Sequence, residues 1–353
     1  MGQRIGIIIV DDSAATRQIL ARELGREADI DVLGVADSPY TARELIIEKR
    51  PQVVTLDLDM PRMDGLTFLR RVMKFLPTPV IVCSSLTPTG CAKSIECLDA
   101  GAFDVIGKPA GSAAAAEFVQ RLAELVRAAA RANRPVAPVA APTALVARRS
   151  AAPATIDQRS IIVIGSSTGG TEALRAVLTA LPAQMPPIAI VQHMPEGFTK
   201  LFAGRLNGLC ELEVREAREG EPFAPGVALL APGGKHLRLR RDATGRYVAN
   251  VADGPQVKHH RPSVEILFES TAAVAGKHAI GVLLTGMGDD GADGLLSIRR
   301  AGGATIAQDE ASCVVFGMPK AAIDRGAADV VLPLGQIADR LRTLASANDR
   351  KVA

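Results

Sequence analysis

Short apolar runs alternate with amphipathic stretches through the first third of the chain, and this alternation restricts the fold more than any other feature. The runs are too short for buried helices and predict strands, whereas the stretches between them have the 3.6-residue period of helices. A sequence in which strands and helices alternate is typical of a doubly wound α/β domain with a parallel sheet, here of five strands. The predicted strands are Ile5–Val10, Val32–Val35, Val53–Leu58, Val80–Cys83 and Val105–Ile106, and the predicted helices are Thr16–Leu24, Thr41–Glu48, Gly65–Phe75 and Lys93–Leu98.

An Ala- and Pro-rich segment divides the 353 residues into two parts, each long enough to bury a core. Its prolines disfavour regular helix and central strand and predict an extended connector. The predicted organisation is a domain over residues 4–125, a linker over 126–158 and a larger α/β domain over 159–347, also with a doubly wound parallel sheet. The prolines on which the linker prediction rests are Pro135, Pro138, Pro142 and Pro153.

Composition excludes several classes of function. The 41 Lys and Arg residues nearly balance 38 Asp and Glu residues, and aromatic residues make up only 3% of the chain, so neither a basic surface nor a base-stacking surface for nucleic acid is expected. No apolar stretch approaches the ~20 residues of a membrane span, and the N-terminus lacks a signal-peptide pattern. Five cysteines without metal-ligand or disulfide spacing suit buried thiols in a reducing compartment. We therefore expect a cytoplasmic protein without membrane insertion.

Polar residues close the predicted strands of the first domain. Because the carboxyl ends of parallel strands meet at one edge of the sheet, we expect these side chains to cluster there. Clustered carboxylates repel one another unless a hard cation binds, and Mg²⁺ prefers such oxygen ligands, so an exposed Asp57 beside a lysine and a hydroxyl suits a transient aspartyl-phosphate. Each residue alone could be a helix cap or a solvated charge. The residues concerned are Asp11, Asp12, Asp57, Ser84 and Lys108.

The second domain begins with the apolar run Ile161–Ile164, followed by Gly165-Ser166-Ser167-Thr168-Gly169-Gly170. This pattern fits a strained strand-to-helix turn that presents Ser167 as a nucleophile, but it fits a glycine-rich phosphate-binding loop equally well. A phosphate-binding loop of a dinucleotide-binding fold is the less favoured of the two, because such a fold has an acidic residue after its next strand. Here the next apolar run, Ile188–Val191, leads to His193 instead.

A serine nucleophile needs a base and a carboxylate that orients the base. His193 lies at the end of a predicted strand, on the sheet edge where Ser167 is expected. Asp289 and Asp290 both follow a further buried run and compete for the orienting position. Backbone amides near Met287, which lies between two glycines, could supply donors for an oxyanion.

The first domain resembles the receiver domain of two-component response regulators. The resemblance implies that Asp57 accepts a phosphoryl group, that Asp11, Asp12 and Asp57 bind Mg²⁺ together with the backbone carbonyl of Asp59, and that Ser84 and Lys108 contact the phosphate. One position departs from the pattern: Val105 stands where receivers often carry an aromatic switch residue.

The second domain resembles the chemotaxis methylesterase family, and the two resemblances together cover nearly the whole chain. The family motif Gly-Met-Gly-x-Asp-Gly selects Asp290 over Asp289. By the resemblance Ser167 is the nucleophile, His193 is the base, and Thr168 and Met287 support the site. The segments that carry it are Gly165–Thr171, Gln192–Pro195, Ala231–Gly233, His260–Ser263, Thr285–Gly291 and Ala307–Pro319.

The resemblance implies a CheB-type enzyme that demethylates methylglutamate, and deamidates selected glutamines, on the cytoplasmic helices of chemoreceptors, with the histidine kinase CheA as phosphodonor and no metal in the ester step. We expect the unphosphorylated receiver to restrict access to Ser167. Two other functions for the second domain are alternatives. A DNA-binding output would need a helix-turn-helix, for which the sequence has no signal. A nucleotide-binding or scaffolding domain would use Ser167 in a phosphate loop.

Overall fold

The computed structural model describes residues 4–60, 63–85, 87–109, 111, 115–132 and 156–346. Contacts divide the chain into two compact units, residues 1–141 and 142–353. The first unit contains one parallel sheet with the strand order β2-β1-β3-β4-β5. Its elements are β1 Ile5–Val10, α1 Ala14–Leu24, β2 Ile30–Ala36, α2 Pro39–Lys49, β3 Val53–Asp57, α3 Gly65–Phe75, β4 Val80–Ser84, α4 Pro88–Asp99, β5 Asp104–Gly107 and α5 Ala115–Ala132.

Capping side chains explain where several of these helices begin. Ser13, Ser38, Asp64 and Thr87 each accept a hydrogen bond from a backbone N–H in the first turn of α1 to α4. Alternate residues of each strand face opposite sides of the sheet, so the strands contribute to two buried clusters, one including Ile8 and the other Ile7. The predicted doubly wound five-stranded domain is confirmed.

The structure differs from the predicted linker at both ends. Helix α5 continues to Ala132, and its Val126 and Ala129 are fully buried. Alanine has the highest helix propensity, and the segment has no proline before Pro135, so nothing ends the helix at residue 125. At the other end Ile156 forms a bridge with Ser346. The four prolines that suggested the linker lie outside the described residues.

The second unit contains a seven-stranded parallel sheet with the order β14-β13-β12-β6-β7-β9-β8, together with an antiparallel hairpin of β10 and β11. The predicted larger α/β domain is confirmed. Its elements are β6 Ile161–Ser166, α6 Gly170–Thr179, β7 Ile188–Gln192, α7 Phe198–Asn207, β8 Glu213–Glu216, β9 Val227–Leu230, β10 His236–Arg241, β11 Tyr247–Ala252, α8 Val264–Ala275, β12 Ala279–Leu283, α9 Ala292–Arg300, β13 Ala304–Gln308, α10 Met318–Asp324, β14 Val330–Leu332 and α11 Leu334–Ala345.

Three adjacent strands, β12, β6 and β7, end at the same edge of this sheet. Each leads into a turn that closes on a glycine with positive φ, immediately before a helix: Gly169 at +74°, Gly197 at +88° and Gly291 at +88°. Glycine adopts this left-handed conformation without the Cβ clash of other residues. The turns bring three polar segments together at the centre of the edge. Among the described residues, no helix has the length and apolarity needed to cross a membrane.

Candidate active site and acidic pocket

Ser167 lies in the turn that follows β6, and its backbone is held from several sides. Its N–H donates to the carbonyl oxygen of Thr285 at 3.0 Å, and its carbonyl accepts from the side-chain amide of Gln192 at 2.8 Å and from the N–H of Gly170 at 2.7 Å. The residue is only 2% exposed. The serine is therefore fixed in a buried turn at the start of α6.

His193 follows β7 and contacts Asp290 directly. The His193 Nε2 atom lies 2.8 Å from Asp290 Oδ2, and both side chains are almost fully buried. A carboxylate can only accept a hydrogen bond, so Nε2 carries the proton in this contact. The other ring nitrogen, Nδ1, is then the atom that can act as a base.

The N-terminus of α8 holds the Asp290 carboxylate. Ser263 Oγ donates to Oδ1 at 2.8 Å, the N–H of Val264 to Oδ2 at 2.7 Å and the N–H of Glu265 to Oδ1 at 3.1 Å. Burial alone would raise the pKa of Asp290, but hydrogen bonds from His193, Ser263 and Val264 outweigh it and hold the pKa below its usual value. The carboxylate is therefore ionised at neutral pH.

The neighbouring Asp289 has a different environment. It is half-exposed, and its carboxylate accepts from Arg325 at 2.6 Å and lies 3.6 Å from Lys258 Nζ. The hydrogen bond from Arg325 is the largest cause that lowers the pKa of Asp289. Of the two candidates left open by the spacing, only Asp290 contacts His193.

Thr168 and Met287 flank the Ser167 turn. The Thr168 hydroxyl is buried and has no hydrogen-bond partner within the described part of the chain. Met287 follows Gly286, where a Cβ atom would lie 2.8 Å from Ser167 Cβ and 2.3 Å from Met318 Sδ. Glycine at this position lets the turn after β12 approach the turn after β6. An unpartnered hydroxyl and the backbone near Met287 could together stabilise a developing oxyanion.

Sequence reasoning missed several residues that shape this site. Gln192 accepts from Ser166 Oγ at 2.7 Å while its amide donates to the Ser167 carbonyl. The His260 ring stacks on the His193 ring with centroids 3.6 Å apart and planes 15° from parallel. Ser263 had a readable signal, since a serine directly before an apolar helical run is typical of an N-cap. Gln192 and His260 lie in segments that carry the family resemblance, but no local pattern indicates their contacts, because their partners are distant in sequence.

The acidic pocket lies at the carboxyl edge of the first sheet. Side-chain oxygens of Asp11, Asp12 and Asp57 lie within 4.8 Å of one another. Lys108 Nζ is 2.8 Å from both Asp11 Oδ2 and Asp57 Oδ2. Asp57 is buried rather than exposed as predicted, because it ends a central strand of the sheet and Lys108 packs against it. Burial raises the pKa of Asp57 despite Lys108, and the two carboxylates raise the pKa of Lys108 against the opposing effect of burial. A cluster of hard oxygen donors with excess negative charge suits a divalent cation such as Mg²⁺.

Ser84 and Asp59 lie beside this pocket. Ser84 ends β4, and its buried hydroxyl lies 3.2 Å from the Gly90 carbonyl, to which it donates. The N–H of Asp59 lies 3.4 Å from Asp57 Oδ1, and the Asp59 carboxylate accepts from Ser85 Oγ at 3.2 Å. The Asp59 carboxylate is thus directed to Ser85. The contact with a metal ion that the resemblance implies for Asp59 is one of its backbone carbonyl. Val105 lies in β5.

Both domains of the chain match families of known proteins. Residues 162–341 match the CheB methylesterase family, and residues 7–120 match the response regulator receiver domain. A protein-glutamate methylesterase/protein-glutamine glutaminase of Anaeromyxobacter dehalogenans (strain 2CP-C) is 49% identical over 344 residues, which cover 97% of this chain and 96% of the relative. One of the same name from Pseudomonas syringae pv. tomato is 48% identical, with 95% and 98% covered.

Among solved structures, the CheB methylesterase catalytic domain of Thermotoga maritima is 42% identical with a TM-score of 0.51, covering 52% of this chain and 98% of that structure. This agreement is confined to the methylesterase part, whereas the matches to the relatives extend over nearly the whole chain. The chain therefore belongs to the CheB methylesterase family, with a receiver domain preceding the methylesterase domain.

Proposed function

We propose that this protein is a phosphorylation-regulated serine esterase that hydrolyses methylglutamate esters on chemoreceptor helices and deamidates selected glutamines. The observation that carries the proposal is the buried contact between His193 and Asp290, located at the sheet edge where the Ser167 turn lies. The names of the relatives support the same activity.

In the proposed reaction, Ser167 Oγ attacks the γ-carbonyl carbon of the ester while His193 Nδ1 accepts the hydroxyl proton. Asp290 stabilises the resulting imidazolium through Nε2. The Thr168 hydroxyl and the backbone N–H groups around Met287 stabilise the tetrahedral oxyanion. When the C–O bond breaks, the imidazolium returns its proton to the leaving methoxide, and methanol departs.

Hydrolysis of the acyl-enzyme repeats these steps with water. His193 Nδ1 accepts a proton from water as the oxygen attacks the acyl carbon, and the imidazolium then returns that proton to Ser167 Oγ. The products are the glutamate carboxyl group and free enzyme. A glutamine side chain presents the same γ-carbonyl with ammonia as the leaving group, so deamidation follows the same route. The ester step uses only groups of the chain.

The receiver domain supplies the regulation in this proposal. Asp57 accepts the phosphoryl group from a histidine kinase of the CheA type, and Lys108 and Ser84 contact the phosphoryl oxygens. Asp11, Asp12 and Asp57, with the Asp59 carbonyl, would hold Mg²⁺, which supplies positive charge that neutralises the phosphoryl group. The protein would act in the cytoplasm, where receptor helices and kinase are accessible, without nucleic acid or membrane insertion.

Methanol release from methylated receptor membranes tests the activity. Ser167→Ala removes the attacking oxygen and is expected to lower the rate by about 10³-fold or more, because the nucleophile, base and orienting acid act as a unit. Ser297→Ala, which removes a hydroxyl that donates to the Asp293 carbonyl within α9, is the matched control and should release methanol at the wild-type rate.

A serine-directed acylating probe gives a second measurement. Labelling of the wild type that disappears in Ser167→Ala supports the esterase. Normal turnover by Ser167→Ala would contradict it. An unlabelled protein that binds nucleotide would instead support the phosphate-loop alternative.

A further inference from the structure

The segment between β11 and α8 reaches the catalytic pair from two directions. Its last residue, Ser263, and the first two residues of α8, Val264 and Glu265, donate hydrogen bonds to the Asp290 carboxylate. Its middle places the His260 ring face to face with the His193 ring, 3.6 Å between centroids and 15° from parallel. One segment therefore contacts both the base and the acid that orients it.

The backbone that carries His260 is strained. Val257 and His260 exchange backbone hydrogen bonds of 3.0 and 2.9 Å, and the two residues between them, Lys258 and His259, have φ of +49° and +65°. Positive φ at both central positions defines a type I′ turn, which favours Asn and Gly. Lysine and histidine adopt it only at a conformational cost, and such strain persists where the surroundings fix it.

Several contacts fix this turn. Lys258 Nζ donates to Glu265 Oε2 at 3.2 Å, to the Asp289 carbonyl at 3.2 Å and to Asp293 Oδ2 at 3.0 Å. Arg261 donates to the Gly254 carbonyl at 2.6 Å and accepts at its own carbonyl from the N–H of Gly234. The turn is tied to the same elements, α8 and the start of α9, that surround Asp290.

We propose that His260 is a positioning residue for the esterase reaction, an inference that rests on the proposed function. The hydrogen bond to Asp290 fixes the Nε2 edge of the His193 ring, and the His260 ring covers one face of it. Stacking on His260 holds the plane of the ring, so that Nδ1 stays directed to the Ser167 turn while Nε2 stays on Asp290. His260 contacts the base and acts through it.

Variants of His260 with and without a flat ring distinguish positioning of the His193 ring from simple filling of space. His260→Phe keeps a flat face, His260→Leu fills similar volume without one, and His260→Ala removes both. We expect kcat for methanol release within about threefold of wild type for the Phe variant, and lowered about 10- to 100-fold for the Leu and Ala variants, since small misplacement of a base has effects of this size. KM should change less than about twofold. His259→Asn, which suits positive φ, is the control and should be unchanged.

Thermal unfolding midpoints and ¹⁵N spectra of the His193 ring complete the experiment. We expect the Nε2–H tautomer in every variant, because Asp290 remains on Nε2, with sharp ring signals in the wild type and His260→Phe and signals broadened by ring motion in His260→Ala. An unchanged kcat in His260→Ala, equal losses in the Phe and Leu variants, or an effect on KM alone would overturn the proposal. If the wild type releases no methanol, the proposed function fails, and the width of the His193 ring signals still decides whether His260 positions the ring.

Discussion

At the scale of single residues, Asp290 illustrates how burial and hydrogen bonding oppose each other. The residue is 1% exposed, and burial of a carboxylate raises its pKa unless donors replace the lost water. The donors supplied by His193, Ser263 and α8 more than compensate, so the pKa lies below its usual value. The stabilisation from this carboxylate is therefore present above the unfolded-state pKa of about 4 and is lost as the pH falls through the lower folded-state pKa.

Asp290→Asn is expected to inactivate the enzyme and to lower the free energy of unfolding by about 1–3 kcal/mol. An Asn carbonyl oxygen in place of Oδ1 still accepts from Ser263 Oγ and the Glu265 N–H, but the NH₂ group in place of Oδ2 leaves the Val264 N–H without an acceptor. The same NH₂ group donates to His193 Nε2 and so moves the ring proton to Nδ1. That nitrogen then cannot accept the Ser167 proton, and kcat should fall by about 10³- to 10⁴-fold. Rates of methanol release check this result. Asp289→Asn, which weakens half-exposed ion pairs with Arg325 and Lys258, is the control; a larger loss in that variant would reverse the assignment.

At the scale of secondary-structure elements, the active site depends on close approach of the turns after β6 and β12. Gly286→Ala places a Cβ atom 2.8 Å from Ser167 Cβ and 2.3 Å from Met318 Sδ. Met318 can adjust, but the Ser167 backbone is hydrogen-bonded to Thr285 and Gln192 and cannot. We expect a loss of about 1–3 kcal/mol in the free energy of unfolding from overpacking and a kcat lowered about 10- to 100-fold by displacement of the serine.

Denaturant unfolding and methanol release measure the two effects of Gly286→Ala separately. Gly204→Ala in α7 is the matched control, because a Cβ atom there meets nothing within 4 Å. Alanine in a helix interior should stabilise by about 0.5–1 kcal/mol relative to glycine without changing activity. Wild-type kcat in Gly286→Ala would show that the two turns tolerate separation.

The sequence could predict the two strands that lead into Ser167 and His193, because each is a short apolar run that ends just before the residue. It also placed Asp57 and Lys108 at one edge, since parallel topology brings strand ends together. It could not predict the His260 stack, because the loop from Asp253 to Pro262 has no periodicity and its turn uses non-glycine residues at positive φ. The end of α5 was missed because alanine-rich sequence is compatible with both helix and linker.

At the scale of the whole molecule, two sheet edges carry separate chemistry in separate compact units. Each unit has its own buried core. Regulation in the proposed function then requires that phosphorylation of Asp57 changes the rate at Ser167, and such coupling between sites typically amounts to about 5- to 150-fold.

A small-molecule phosphodonor with Mg²⁺ tests this coupling directly. We expect the donor to raise methanol release by the wild type within that range, because the phosphoryl group adds charge beside Lys108 and Asp11, and such a local change can shift the balance between conformations of a receiver. Asp57→Asn should not respond, whereas Asp31→Asn, an exposed position in β2, should respond as the wild type does. A fragment of residues 156–353 should be active without the donor and insensitive to it. A response in Asp57→Asn would locate the phosphoryl acceptor elsewhere, and a fragment slower than the unphosphorylated full-length protein would mean that the receiver assists catalysis rather than restricting it.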